Sequence, residues 1–283
     1  MDIESQFRDN GYVVLPGFLD GARIGRLRAV CDRVLAQWLA GKPRTGRLTN
    51  MDGLTDLKYF SRQRDELIEL LRFIAADDVQ EALEGLDLGD PVFHNTQYFM
   101  EAGDTHWAGA WHRDTQFLSQ SISVEKQRIA GTPSVHFRVA LVDDARLDYV
   151  PGSERRWDHH DEDVVRRKSK GVGELSGAIN IPLRAGDAVI FSAWGIHRGH
   201  YGPAPERRTL DLLYVFDEPL HWARRRSPAS LTTHCWTNCP TMRGAFLPAL
   251  SRRRGRSGRP KPKPSRAGRR SPGRAACGRR QTS

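Results

Sequence analysis

The sequence lacks an apolar run long enough to cross a bilayer, which takes about 20 consecutive apolar residues. Its longest apolar runs, such as the one that ends at Phe191, span only a few residues. The N-terminal residues also lack a basic stretch followed by an apolar one, so they do not resemble a secretory signal peptide. We therefore expect no membrane segment and a cytoplasmic location.

Cysteine is scarce and does not form a disulfide framework. The four cysteines are at positions 31, 235, 239 and 277, and a reducing compartment is the default for such a chain. The spacing of Cys235 and Cys239, beside His234, is one that metal sites use. Because no second pair accompanies them, we interpret this grouping as chance.

Acidic residues are missing from the last quarter of the chain. Residues 219–283 contain 17 Lys and Arg and no Asp or Glu, whereas residues 1–218 contain 27 Lys and Arg and all 34 acidic residues. The net charge of +10 therefore belongs to the C-terminal part. The remainder is mildly acidic, which argues against a nucleic-acid-binding domain.

This contrast divides the chain into a domain over residues 1–220 and a basic extension over residues 221–283. The extension has too few large apolar residues to offset its chain entropy, so we predict disorder. Its arginines favour at most weak electrostatic binding to nucleic acid or another anionic surface. A shifted reading frame or a fused sequence at the 3′ end of the gene is the alternative explanation. Nothing in the sequence indicates the oligomeric state.

The hydrophobic periodicity changes from helical to alternating along the domain. Asp20 is placed to cap a helix that ends near Gly41, and residues 54–86 have helical spacing. Helices followed by several strands predict a mainly β domain, a sandwich or barrel, with flanking helices. The predicted strands are Tyr12–Leu15, Val92–Met100, Ser134–Val142, Leu147–Val150, Ala188–Phe191 and Thr209–Phe216.

His112 and Asp114 are the strongest candidates for metal ligands. In a strand, residues i and i+2 point to the same face, so their imidazole and carboxylate would lie side by side. His197 follows a buried-type strand and is our third candidate; His200 is the rival, on the opposite face if the strand continues. Two histidines and one carboxylate leave one face of an iron(II) ion open.

The sequence resembles the phytanoyl-CoA dioxygenase family of iron(II)/2-oxoglutarate-dependent oxygenases over roughly residues 5–218. The resemblance implies a double-stranded β-helix, the jelly-roll of cupin-like oxygenases. It also implies that His112, Asp114 and His197 bind iron. The chain departs from the family pattern at Glu154, where the family usually has histidine. The segments that carry the resemblance are Phe7–Leu19, Trp111–Asp114, Asp148–Ser153, Gly186–Asp187 and His197–Arg208.

The resemblance further implies that Arg208 binds the distal carboxylate of 2-oxoglutarate, with its adjacent Arg207 as the alternative. A guanidinium group matches a carboxylate in a bidentate manner and stays charged when buried. The two arginines point to opposite faces of a strand, so only one can face the pocket. The family's spacing from histidine to arginine favours Arg208.

Five other residues are candidates for the pocket. Gln97 is a candidate for the co-substrate, and Gln116, His136, Arg138 and Trp111 for the substrate. Each has a simpler interpretation: a sheet edge for the glutamines, a solvated outer face for the His136–Arg138 pair, and ordinary core packing for the tryptophan.

The predicted function is hydroxylation of a small organic substrate with O2, with release of succinate and CO2. A carboxylate ligand such as Asp114 leaves no coordination position for a halide, which favours hydroxylation over halogenation. The alternative is a non-catalytic jelly-roll module that recruits an anionic partner through its basic extension.

Overall fold

The computed structural model describes residues 2–40, 42, 48–118, 121–131 and 133–216. The predicted basic extension and the Cys235–Cys239 spacing lie outside these residues. Within the described part of the chain, no helix combines the length and the hydropathy that crossing a bilayer requires.

Helices form the N-terminal part, as the periodicity predicts. The Asp20 side chain accepts a hydrogen bond from the backbone N–H of Arg23 at 2.7 Å and so caps α2, a contribution of about 1 kcal/mol. Leu27, Val30 and Val34 form part of the buried face of this helix. The helices are α1 (Ile3–Asn10), α2 (Gly21–Leu39), α3 (Arg64–Ile74), α4 (Asp77–Glu84), α5 (Ile122–Ala130) and α6 (His160–Asp163).

The strands form two antiparallel sheets. The larger has the order β1-β8-β5-β10-β3-β2 and the smaller the order β4-β9-β6-β7. The larger sheet consists of β1 (Tyr12–Leu15), β2 (Asn50–Asp52), β3 (Pro91–Phe99), β5 (Ser134–Ala140), β8 (Ala188–Ser192) and β10 (Thr209–Phe216). The smaller consists of β4 (Trp107–Ala108), β6 (Leu147–Tyr149), β7 (Ile179–Asn180) and β9 (His197–Tyr201).

The inner faces of the two sheets pack against each other. Tyr149 of β6 meets Phe191 of β8 edge to face, with ring centroids 6.2 Å apart, within a buried apolar cluster to which both sheets contribute. The mainly β jelly-roll expected from the sequence is confirmed.

Helices cover the outer face of the larger sheet. The hydroxyl of Tyr98 on β3 donates to Asp32 of α2 at 2.8 Å. The hydroxyl of Tyr214 on β10 donates to the carbonyl of Ile74 at the end of α3 at 2.7 Å. With this face covered by helices, the interior between the sheets is where side chains from β5, β9 and β10 meet.

Candidate metal centre

His112, Asp114 and His197 come together between the sheets. One ligand atom from each lies within 4.8 Å of the other two, the only such set of three or more His, Cys, Asp or Glu among the described residues. The Nε2 atoms of His112 and His197 are 3.6 and 3.7 Å from Oδ1 of Asp114. This spacing suits three ligands of one ion.

Backbone pairing sets this spacing. His112 forms an isolated β-bridge with His197, and each N–H donates to the other's carbonyl at 2.9 Å. The sequence predicts a strand at Asp114, but this residue begins a 3-10 helix that ends at Leu118. The N–H of Asp114 donates to the Ala193 carbonyl at 3.0 Å. The two side chains meet because of the turn and the bridge, not because of strand alternation.

Both candidate histidines present Nε2 to the centre. Nδ1 of His112 lies 2.7 Å from the Ala110 carbonyl, and Nδ1 of His197 lies 3.0 Å from the Gly195 carbonyl. A carbonyl only accepts, so Nδ1 carries the proton and Nε2 has a free lone pair. Burial lowers the pKa of His112 and lowers that of His197 to about 3, which keeps both rings neutral, as metal binding requires.

His136 holds the second oxygen of Asp114. Its Nε2 lies 2.8 Å from Oδ2 of Asp114, and its Nδ1 lies 3.2 Å from Oδ2 of Asp211. Burial lowers the pKa of this imidazole, but hydrogen bonds to the two carboxylates outweigh burial and raise it to about 9. Burial raises the pKa of Asp114, but the hydrogen bond and the charge of His136, together with the other two neighbouring histidines, outweigh burial and lower it. The other oxygen of Asp114, Oδ1, faces the two candidate histidine ligands.

Arg138 continues this chain of contacts away from the metal centre. Its Nε and Nη2 donate to Asp211 at 2.7 and 2.8 Å, and its guanidinium lies over the rings of Phe99 and Phe191. His136 and Arg138 therefore belong to the interior and not to a solvated face. Gln97 lies opposite Asp211 in the register of β3 and β10.

The two adjacent arginines have different surroundings. Arg207 is 1% exposed, and its guanidinium lies 4.7 Å from the centroid of the Phe99 ring and 5.5 Å from that of Tyr201. Its Nη2 is 3.5 Å from a carboxylate oxygen of Asp144. Arg207 therefore lies on the side of the interior residues.

Arg208 lies on the helical side. Its Nε donates to Asp32 of α2 at 2.7 Å, and its Nη1 donates to both oxygens of Glu101 at 2.9 and 2.7 Å. The structure thus places the arginine that the spacing favours outside the interior, with its guanidinium already paired. Of the two arginines, Arg207 is the one whose guanidinium group lies in the interior.

Several buried polar atoms near Arg207 have no hydrogen-bond partner within the described part of the chain. They are Nη1 of Arg138, Nε and Nη2 of Arg207, and Oγ1 of Thr209. Phe99 contacts both guanidinium groups and lies opposite Thr209 in the sheet register. Unsatisfied buried donors are rare and costly, so this group has the character of a site for a carboxylate.

Two of these interior residues escaped the sequence analysis. Arg207, Thr209 and Asp211 occupy alternate positions where the chain enters and follows β10. Such alternation predicts that the three side chains share one face, and this was the available signal. Asp211 is also an acidic residue within an otherwise apolar strand, which marks a partnered interior position.

The remaining candidates lie elsewhere. Trp111 is buried in a small core cluster and donates from Nε1 to the Gly173 carbonyl at 3.0 Å. Gln116 is exposed, and its Oε1 accepts from Arg166 at 2.7 Å. His200 is on the opposite face of β9 from His197 and is bonded to Asp148. None of the three faces the metal centre.

The profile of the phytanoyl-CoA dioxygenase family (PhyH) matches residues 7–208. No curated protein sequence matches the chain at a significant level. Solved structures with a similar fold include the non-heme alpha ketoglutarate dependent epimerase SnoN from nogalamycin biosynthesis, which is 20% identical and has a TM-score of 0.53. The alignment covers 76% of this chain and 79% of that one.

Two further structures have the same fold. AviO1 from Streptomyces viridochromogenes Tue57 is 18% identical, with 77% of this chain and 95% of that one covered and a TM-score of 0.56. HygX from Streptomyces hygroscopicus, with nickel and 2-oxoglutarate bound, is 15% identical, with 77% and 87% covered and a TM-score of 0.55. At these identities the likeness shows the fold.

Proposed function

The chain belongs to the phytanoyl-CoA dioxygenase family, and we propose that it hydroxylates a small organic molecule with O2, using iron(II) and 2-oxoglutarate. Family membership makes it a dioxygenase-type enzyme of the iron and 2-oxoglutarate class. One observation carries this proposal: the same interior contains a His-Asp-His centre and a group of buried donors without hydrogen-bond partners in the described residues.

The residues present suit iron(II). His112 and His197 would bind through Nε2 and Asp114 through Oδ1, a set of two imidazoles and one carboxylate that leaves the opposite face of the ion open. When bound, the iron supplies the oxidising power for attack on a C–H bond. The hydrogen bonds that Nδ1 of His112 and of His197 donate to carbonyl oxygens, and the bond that His136 donates to Asp114, orient these ligands before the metal arrives.

The unpartnered donors suit the distal carboxylate of 2-oxoglutarate. Arg207 offers Nε and also Nη2, which forms no hydrogen bond with the described residues but lies 3.5 Å from the Asp144 carboxylate. Arg138 offers Nη1 and Thr209 offers its hydroxyl. A carboxylate accepts several hydrogen bonds at once, and charge-assisted bonds to a guanidinium are the strongest of these. Arg207 is therefore our candidate for the role that the family's spacing assigned to Arg208.

The substrate would approach from the side of His112 and Asp114. Their side chains are 20% and 21% exposed, whereas that of His197 is 7% exposed. Phe117, in the turn that begins at Asp114, lies beside the His112 ring with centroids 5.1 Å apart and is exposed. The rings of Phe99 and Phe191 lie against the Arg138 guanidinium, and on this proposal they shield the co-substrate from water.

Product analysis of the iron-loaded enzyme tests this proposal. Succinate release is measured across a panel of neutral and charged small molecules, and the products are examined for an added oxygen atom from O2. SnoN has this fold and is an epimerase, so 2-oxoglutarate consumption with no oxygen added to the product would replace hydroxylation with a different 2-oxoglutarate-dependent reaction. Full-length protein that binds neither Fe(II) nor 2-oxoglutarate would favour the non-catalytic alternative.

A further inference from the structure

Arg113 lies between two proposed metal ligands, yet its guanidinium makes all its contacts elsewhere. Its side chain is fully buried. Nη1 donates to the carbonyl oxygens of Ser153, at 2.7 Å, and Trp194. Nε and Nη2 contact Asp158 at 2.9 and 2.8 Å, and Nη2 donates to the Arg156 carbonyl at 3.3 Å.

One of these acceptors, the Trp194 carbonyl, lies in the segment that leads to the third ligand, and another residue of the set, Ser153, is hydrogen-bonded to that segment. Trp194 precedes His197 by three residues, and Oγ of Ser153 accepts from the N–H of Ile196 at 2.7 Å. One guanidinium group therefore fastens the His112–Asp114 segment to the turn at Ser153 and to the loop that ends at His197. Its rigid planar fork serves several acceptors at once.

The Asp158 carboxylate joins Arg113 to a second buried arginine. Arg166 donates from Nε and Nη2 to Asp158 at 2.8 and 2.6 Å, and both its Nη atoms donate to Glu125 at 3.2 Å. The side chains of these residues are at most 4% exposed. We call Arg113, Asp158, Arg166 and Glu125 the buried ionic network; its two positive and two negative charges balance.

The network returns to the ligand segment on the other side of Asp114. The hydroxyl of Thr115 donates to Glu125 at 3.1 Å, and Gln116 accepts from Arg166 at 2.7 Å. Asp114 is thus flanked on both sides by residues bonded to the same network. The chain on both sides of Asp114 is therefore bonded to the same buried groups that hold the loop before His197.

We propose that Arg113 is a positioning residue for the metal centre: through the buried ionic network it sets the distance between Asp114 and His197. This inference rests on the proposed function, because it takes those residues as metal ligands. A metal ion tolerates little error in ligand spacing, and loss of a residue that orients the ligands typically weakens metal binding by about 10- to 100-fold.

The test compares Arg113→Lys with wild-type full-length protein, using Co(II) as the probe. Lysine keeps the charge but cannot serve the same set of acceptors. We expect the Kd for Co(II), from titration calorimetry, to rise at least tenfold. The visible spectrum of bound Co(II) should also change, at a temperature where circular dichroism shows both proteins folded. A purely structural role would lower the melting temperature and leave both readouts unchanged.

Arg33→Lys is the matched control. Arg33 pairs with Glu66 and donates to the Tyr59 carbonyl at 3.1 Å, so it makes the same kinds of contact within the helical flank. We expect this variant to bind Co(II) with the wild-type Kd.

Thr115→Val is the second test of the buried ionic network, for use if Arg113→Lys does not fold. Valine has nearly the same shape, and the change removes one hydrogen bond without leaving a buried charge unpaired, so about a two- to tenfold rise in Kd is expected. If Arg113→Lys folds and has the wild-type Kd and spectrum, the inference is wrong. If Arg113→Lys does not fold, the same result for Thr115→Val would overturn it. Wild-type protein that binds no Co(II) would instead overturn the metal centre of the proposed function.

Discussion

The guanidinium groups of Arg207 and Arg208 lie on opposite sides of the segment that enters β10, although the two residues are adjacent. Arg207 packs on Phe99 in the interior, and Arg208 pairs with Asp32 and Glu101 on the helical side. Successive residues of an extended chain point in opposite directions. The pair therefore places one guanidinium group in the interior and the other against the helical side.

Replacement of Arg207 by methionine should weaken 2-oxoglutarate binding without loss of the metal. Hydrogen bonds to charged groups contribute about 1.5–3 kcal/mol, and each 1.4 kcal/mol is tenfold, so we expect the Kd to rise roughly 10- to 150-fold. Arg208→Met is the control and should keep the wild-type Kd. Calorimetric titration of the Ni(II)-loaded proteins with 2-oxoglutarate measures both; the opposite ranking would restore Arg208 to the role.

Removal of His197 should abolish metal binding, whereas removal of His200 should not. His197→Ala takes away one of three ligands whose atoms lie within 4.8 Å of one another. His200→Ala removes an imidazole of the same strand that is bonded to Asp148 on the other face. Metal content after dialysis against Fe(II) or Co(II) checks the prediction. Equal metal content in the two variants would show that β9 supplies no ligand at His197.

His136→Phe should weaken metal binding although His136 is not a proposed ligand. The change leaves Oδ2 of Asp114 without the hydrogen bond that orients it, and such a loss costs about 10- to 100-fold in metal affinity. His136→Gln keeps one donor and should recover part of the affinity. Titrations with Co(II) at one pH compare the three proteins, and indistinguishable Kd values would contradict this role.

Thr209→Val should separate co-substrate binding from stability. The Thr209 hydroxyl is buried and has no partner in the described residues, so its removal should leave the melting temperature of the free protein unchanged or raised. The 2-oxoglutarate Kd should rise about two- to tenfold, the effect of one neutral hydrogen bond. A fall in melting temperature with an unchanged Kd would mean that the hydroxyl serves the fold alone.

Glu154→Gln should stabilise the protein increasingly as the pH rises. Burial raises the pKa of the Glu154 carboxyl above its ordinary value of 4.5, so the folded state holds this proton more tightly than the unfolded state. The contribution of this tighter proton binding to the stability of the folded state is fully present below pH 4.5, and it is lost as the pH rises through the raised pKa. Glutamine stays neutral, so the melting-temperature difference from wild type should grow between pH 4 and pH 8. A constant difference would contradict the assignment.

The pattern of apolar residues determined the main elements of this fold. Helical spacing placed α2 after its Asp20 cap, and alternation placed β10 at Thr209–Phe216, because these signals act between near neighbours in the chain. The short strands β4 and β9 were not predicted. Two residues carry too little pattern in β4, and the polar run His197–Tyr201 has no apolar alternation to reveal it.

The sequence also determined which residues could form a centre, through the types His112, Asp114 and His197 and the family resemblance. The tertiary structure decided their surroundings. It brought Asp32 to Arg208, 176 residues away, and so left Arg207 for the interior. It also joined Arg113 to Asp158. These choices depend on partners distant in the chain, which local periodicity does not encode and which only the packing of sheets and helices brings within hydrogen-bond reach.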